Sequence, residues 1–135
     1  MTKIQHQNQR QEQSYTVTLL QPQDFAAYSL FIQSRPEALY EHSLEVMALI
    51  KNNFKFDPKY IIAKERTVIV GVLPLFRARS ILEGTRYVSL PFFPFGGVIG
   101  INVEVKKMLL EKAKEISQGG KFLELRQRES LEPDL

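Results

Sequence analysis

Residues 67–90 read TVIVGVLPLFRARSILEGTRYVSL and run straight on into Pro91-Phe92-Phe93-Pro94-Phe95-Gly96-Gly97. Two apolar runs flank a short basic connection that holds Arg77, Arg79 and Gly84. The first run, Val68 to Phe76, is β-branched and nearly continuous, the composition of a strand covered on both faces. Pro74 removes a ladder donor from that strand, so the strand is expected either to bulge at Leu73-Pro74 or to leave the ladder there. The second run, Thr85 to Leu90, alternates and reads as an antiparallel neighbour. The double glycine then leads into a helix, and the helix into Phe122-Leu123-Glu124-Leu125. A strand, a glycine-rich turn, a helix and a second strand form a βαβ unit, so the last two strands are expected to be parallel. Binding is expected near the break after Leu90.

Working outward, Lys59 to Ala63 reads as the strand before the central run, with Lys64-Glu65-Arg66 as the turn between them. Tyr15 to Leu20 alternates and is a further strand. Pro22 and Asp24 open a helix with Phe25, Tyr28, Leu30 and Ile32 as its apolar residues, and Ser34-Arg35-Pro36 ends it. Ser43 caps a second helix, Leu44 to Asn53, with a stripe of Leu44, Met47, Ile50 and Phe54. Asn102 caps a third, Val103 to Gln118, with Val105, Met108, Leu109, Ala113 and Ile116 on one face. Gly119-Gly120 terminates it, and Lys121 to Arg126 is the last strand. The expected order is β-α-α-β-β-β-α-β, an α+β domain over residues 15–126 with a mixed sheet: an antiparallel meander and a final parallel crossover. Residues 1–14, with glutamine at every other position from Gln5 to Gln13, read as a disordered tail. Residues 127–135 read as an irregular one.

The chain has 135 residues, enough for one domain, and is 44% hydrophobic, too apolar for a disordered protein. It has no cysteine, which removes disulfides and thiolate metal sites. Its two histidines, His6 and His42, are too few for a His-rich metal centre. No apolar run approaches the roughly 20 residues that span a bilayer, and the N-terminus lacks a secretory pattern. A cytoplasmic protein is therefore expected. The net charge of +3 is a weak bias. Arg77, Arg79 and Arg86 are the nearest approach to a basic cluster and read first as a solvated loop, so nucleic-acid binding is not expected.

The segments Gly71-Val72-Leu73-Pro74-Leu75-Phe76, Val88-Ser89-Leu90-Pro91-Phe92, Gly96-Gly97 and Leu123-Glu124-Leu125-Arg126 together resemble the first half of the Fem-type (FemAB-like) transferases. These are a branch of the GNAT acyltransferase superfamily, and the likeness runs from about Tyr15 to Arg126. It implies the GNAT fold up to its fifth strand, and an ancestral chemistry of acyl or aminoacyl transfer to an amine acceptor in cell-envelope or polysaccharide metabolism. Fem-type proteins carry two GNAT-like domains, and a complete GNAT domain continues past the fifth strand. The expectation is a domain truncated after that strand, inactive alone. The competing expectation is a non-catalytic module that pairs with a second copy or a partner chain through an exposed sheet edge.

The resemblance also implies candidate residues. In GNAT enzymes the loop between the fourth strand and the third helix offers backbone N–H groups to a cofactor pyrophosphate; here that loop holds Gly96, Gly97, Gly100 and Asn102. The usual spacing of Gln or Arg before Gly-x-Gly is missing, and the same stretch reads as a tight turn. No cofactor is expected on the isolated chain; an acyl-CoA or aminoacyl-tRNA donor is expected only with the missing half supplied. Lys51 corresponds to basic residues that face an anionic, peptidoglycan-precursor-like acceptor, and also reads as a lysine favoured by a helix C-terminus. Glu124 and Arg126 share one face of the last strand, beside the expected substrate position. Phe95, with Phe92 and Phe93, lines an acyl pocket or plugs the sheet end. Glu41 beside His42 invites an acid–base reading, for which the sequence shows no orienting third group.

Overall fold

The computed structural model describes residues 15–80, 84–89, 97–119 and 122–124. Strand β1 is Tyr15–Leu19, and a 3-10 turn, Pro22–Asp24, leads into α1, Phe25–Ser34. A second 3-10 turn, Tyr40–His42, precedes α2, Leu44–Asn53. Then come β2 (Phe56–Pro58), β3 (Ile61–Glu65), β4 (Val68–Leu73), β5 (Phe76–Ser80), β6 (Gly84–Val88) and β7 (Ile99–Gly100). Helix α3 is Val103–Ile116, and β8, Phe122–Glu124, follows the 3-10 turn Ser117–Gly119.

The strands form two four-stranded groups, β1-β3-β4-β7 and β2-β5-β6-β8. They are two halves of one bent ladder. Pro58 pairs with Phe76 and Ile61 with Leu73, which keeps one register across the junction. The Lys59 N–H bridges it, donating to the Leu75 carbonyl at 2.7 Å. The run read as a single strand thus divides into β4 and β5 at Pro74-Leu75. The strand expected over 59–63 lies instead at Ile61–Glu65, and a separate short strand, β2, precedes it.

The other edge of this ladder explains the proline. Four positions separate Val72 from Phe76, but eleven separate their partners Ile99 and Val88. The partner strand therefore leaves the ladder between β6 and β7. Successive residues of a strand direct their N–H and C=O groups to alternate edges. Leu75 bonds toward Lys59, so Pro74 faces the departed strand. An N–H there would have no ladder acceptor, and proline has none to offer.

Strand β6 pairs with β8 in parallel, Arg86 opposite Phe122 and Val88 opposite Glu124, as the crossover requires. The hairpin turn before β4 falls at Arg66-Thr67, later than expected, with Arg66 at φ 59. Arg77 and Arg79 lie on β5 rather than on a connection, and Arg77 pairs with Asp57 at 2.7 Å.

One face of the sheet is covered by α1 and α2, the other by α3. Tyr28, Phe31, Val46 and Ile50 meet Tyr60, Ile62, Val72 and Phe76 on the first side. Val105, Leu109, Leu110 and Ala113 meet Ile61, Ala63 and Leu73 on the second. Ser43 caps α2 through the Val46 N–H, as the sequence predicts. The stripes need correction: Leu30 and Phe54 are exposed, while Phe31, Val46 and Leu110 are buried. Phe54 has already left helical geometry at φ −138, so it no longer continues the α2 stripe. The Asp24 carboxylate accepts from Lys64 Nζ at 2.8 Å and from the Gln21 N–H at 2.9 Å, which ties the start of α1 to β3. Those two bonds, Lys64 first, hold its carboxyl below the usual carboxylate range. The tails at 1–14 and 127–135, with Phe92, Phe93 and Phe95, lie outside the described residues.

Candidate functional site

Strand β7 resumes the pairing just ahead of α3, and buried polar contacts hold the chain that enters it in place. His42 is 3% exposed, on the linker between α1 and α2. Its Nε2–H donates to the Gly97 carbonyl at 3.0 Å, and its Nδ1 accepts the Leu39 N–H at 3.1 Å. With Nδ1 accepting, the proton belongs on Nε2. The Tyr28 hydroxyl donates to the His42 carbonyl at 2.6 Å, which joins α1 to the same set. Burial holds the imidazole below its ordinary pKa despite the two backbone bonds, so it is neutral at pH 7. Both ring nitrogens are committed to backbone groups. His42 is built to position Gly97, not to pass a proton.

Past Gly97 the chain crosses β7 and enters α3. A Cβ on Gly100 would come within 3.0 Å of both Lys106 Cγ and Val105 Cγ1. The glycine thus lets the strand run under the first turn of α3. Asn102 caps that turn: its Oδ1 accepts the Val105 N–H at 2.8 Å while its Nδ2 donates to the Tyr15 hydroxyl at 3.2 Å. The Lys106 N–H bonds the Asn102 carbonyl. Of the amides at the head of the helix, that of Val105 is thus taken by the cap. Glu104 places a carboxylate in the same turn. That satisfies the positive end of the helix dipole and opposes a pyrophosphate there.

The structure gathers Gly97, Gly100 and Asn102 into one short stretch at the head of α3. Glu124 is on β8, opposite Val88, which precedes the break. Lys51 stands apart, exposed in the last turn of α2. Phe95, Gly96 and Arg126 lie outside the described residues. Sequence reasoning missed Tyr60, which is 2% exposed at the bend of the ladder, with its ring 5.3 Å from that of Phe76 and 6.0 Å from that of Tyr28. Its hydroxyl has no hydrogen-bond partner among the described residues. Burial pushes this phenol above its ordinary pKa, so it is present as a neutral donor. Its strand-forming neighbours concealed it: a tyrosine next to Ile61-Ile62 looks like any other core residue.

Several concavities lie among the described residues around this frame. One, about 620 Å³, lies between β1, the Asp24–Lys64 pair and the Lys112–Ile116 part of α3. A cleft of about 140 Å³ separates α1 from the start of α2. A third, about 240 Å³, lies between the exit of α2 and the β5–β6 hairpin. Among the described residues there is no group of three His, Cys, Asp or Glu side chains able to hold a metal ion. Nor, among them, is any helix long and apolar enough to cross a membrane.

No protein-family model and no curated protein matches the sequence. Among solved structures, the chain is similar to a GNAT family acetyltransferase from Staphylococcus aureus subsp. aureus USA300_TCH1516. The TM-score is 0.58 at 16% identity, over 86% of this chain and 88% of that one. The fold is therefore GNAT-like: a mixed α+β domain with antiparallel pairing and a closing parallel crossover. At this identity the likeness extends to the fold alone.

Proposed function

We propose that this domain takes part in acyl or aminoacyl transfer to an amine acceptor, as a Fem-type member of the GNAT lineage in cell-envelope or polysaccharide metabolism, working in the cytoplasm. The observation that carries the reading is the departure of one strand from the ladder between Val88 and Ile99, immediately ahead of α3, in a GNAT-like fold. A gap at that place gives donor and acceptor room to meet beside the sheet. The protein then acts chiefly by positioning, which alone contributes several kcal/mol to such reactions. Glu124, Arg126 and Phe95 serve the acceptor beside the gap, and Lys51 an anionic group on it. The Asn102 cap and Glu104 leave the head of α3 poorly suited to a cofactor pyrophosphate, so Gly96, Gly97, Gly100 and Asn102 shape the gap and a second chain brings the donor.

A second reading, a binding module that assembles through a sheet edge, is favoured by the one-sided pairing of β1 and β8 among the described residues. Transfer assays on the chain alone and on the chain purified with its native partner separate the two. Acetyl-CoA and charged tRNA serve as donors, and thiol or free tRNA release is the readout. The transfer reading expects release by the assembly only. Release by the chain alone removes the need for a second chain, and release by neither leaves the assembly module.

A further inference from the structure

Strand β1 stands at the outer edge of its four-stranded group and pairs only with β3 among the described residues. One bond just past its end fixes the direction of its backbone groups: the Leu20 N–H donates to the Tyr60 carbonyl at 2.8 Å. Leu20 and Tyr60 continue the register that sets Leu19 opposite Ile61. In an antiparallel pair, residues that bond to the partner strand alternate with residues that do not. Thr16 and Thr18 therefore bond to β3, while Tyr15, Val17 and Leu19 turn their N–H and C=O groups to the open edge. The concavity of about 620 Å³ along β1 takes its lining from both faces of the sheet, Lys112 and Ile116 from α3 and Gln23 and Asp24 from the turn before α1. It thus opens along the edge of the strand rather than over one face.

The edge carries none of the usual protection against pairing. Tyr15-Thr16-Val17-Thr18-Leu19 has no charge and no proline, and its register with β3 runs unbroken, without a bulge. Its pattern also reads alike in both directions. Tyr15, Val17 and Leu19 pack against the core under α3, and Thr16 and Thr18 are exposed on the other face. A second β1, laid antiparallel about a two-fold axis at Val17, matches that pattern throughout. Val17 then faces its own copy, Tyr15 lies opposite Leu19, and Thr16 opposite Thr18. The residues whose N–H and C=O groups face the edge are the ones that exchange bonds across it, and no charge opposes another. We propose that β1 is the surface through which two copies of this chain pair, antiparallel and centred on Val17, joining their β1-β3-β4-β7 groups into one sheet. The same patch is used by both copies, so the assembly closes at two. The inference rests on the reading of this domain as an assembly module, and names the edge and the occupant.

The test is equilibrium sedimentation of the whole chain, with hydrogen exchange at the Val17 and Leu19 amides as the local readout. The wild-type chain should be a dimer that dissociates on dilution, and both amides should be protected in the dimer and exposed in the monomer. Thr16→Lys/Thr18→Lys sets lysine opposite lysine across the axis and should be monomeric, as should Thr16→Glu/Thr18→Glu. Both threonines are exposed, so the core is untouched. An equimolar mixture of the two variants should recover a dimer, because each lysine then meets a glutamate. A wild-type chain that stays monomeric to about 100 μM overturns the proposal; protected amides in such a monomer would put another segment of the chain on the edge. Failure of the mixed variants to pair overturns it as well. So does a dimer unmoved by the lysine pair, in which case assembly runs through a different surface and the broader reading stands.

Discussion

Protonating His42 would turn the nitrogen that accepts the Leu39 N–H into a second donor, and two N–H groups would then face each other at 3.1 Å. The folded protein resists this, and burial keeps the folded-state pKa below the ordinary value near 6.5. Between those two pKa values the unfolded chain binds more protons than the folded one, so stability rises with pH there. The contribution is complete above about pH 6.5 and is lost as pH falls through the folded-state pKa. The thermal midpoint should therefore be level from about pH 8 to 7 and fall as the pH drops below about 6.5. His42→Gln should flatten that acid limb. An unchanged limb in the variant would show that His42 does not set it. The sequence showed Glu41-His42 as adjacent titratable groups and nothing of this role. The partners are backbone atoms, one of them 55 positions away, and backbone groups carry no sequence signature.

At the level of elements, α3 lies on β4 because Gly71 lets it. A Cβ at Gly71 would run into the Val105 Cγ1 methyl and come within 2.9 Å of Leu109 Cδ1. Both are fully buried and have little room to yield. Gly71→Ala should therefore cost about 1–3 kcal/mol, as overpacking does. Lys51→Ala, on exposed helix surface, should stay within about 0.5 kcal/mol. Denaturant melts that reversed this order would contradict the packing of α3 on the sheet. The three helices, two of their caps and the parallel crossover were legible because periodicity, Ser43, Asn102 and the glycines are local signals. The division of the central run was half legible: Pro74 marked the place, but the choice between a bulge and a departure rested with the partner strand. The exposed Leu30 and the buried Phe31 show the limit of a stripe read without its phase. Adjacent residues differ by about 100° around a helix, and only the packed sheet selects between them.

For the molecule as a whole, one register runs across the bend from β2–β5 into β3–β4, so the two four-stranded groups are joined along that side. On the other side, β6 and β7 stop pairing on either side of Pro74, just ahead of α3. What occupies the gap was not legible, because Phe95, Gly96 and Arg126 carry no pattern that separates a binding role from a turn or a sheet end. The helix head gives a sharper answer. With the Val105 amide taken by Asn102, and with Glu104 in the same first turn, it offers a pyrophosphate little. Isothermal titration of the isolated chain with acetyl-CoA tests this most directly. The account predicts no saturable heat in the micromolar range; a dissociation constant near 1 μM, about 8 kcal/mol of binding free energy, would contradict it, because such affinity needs a formed cofactor site.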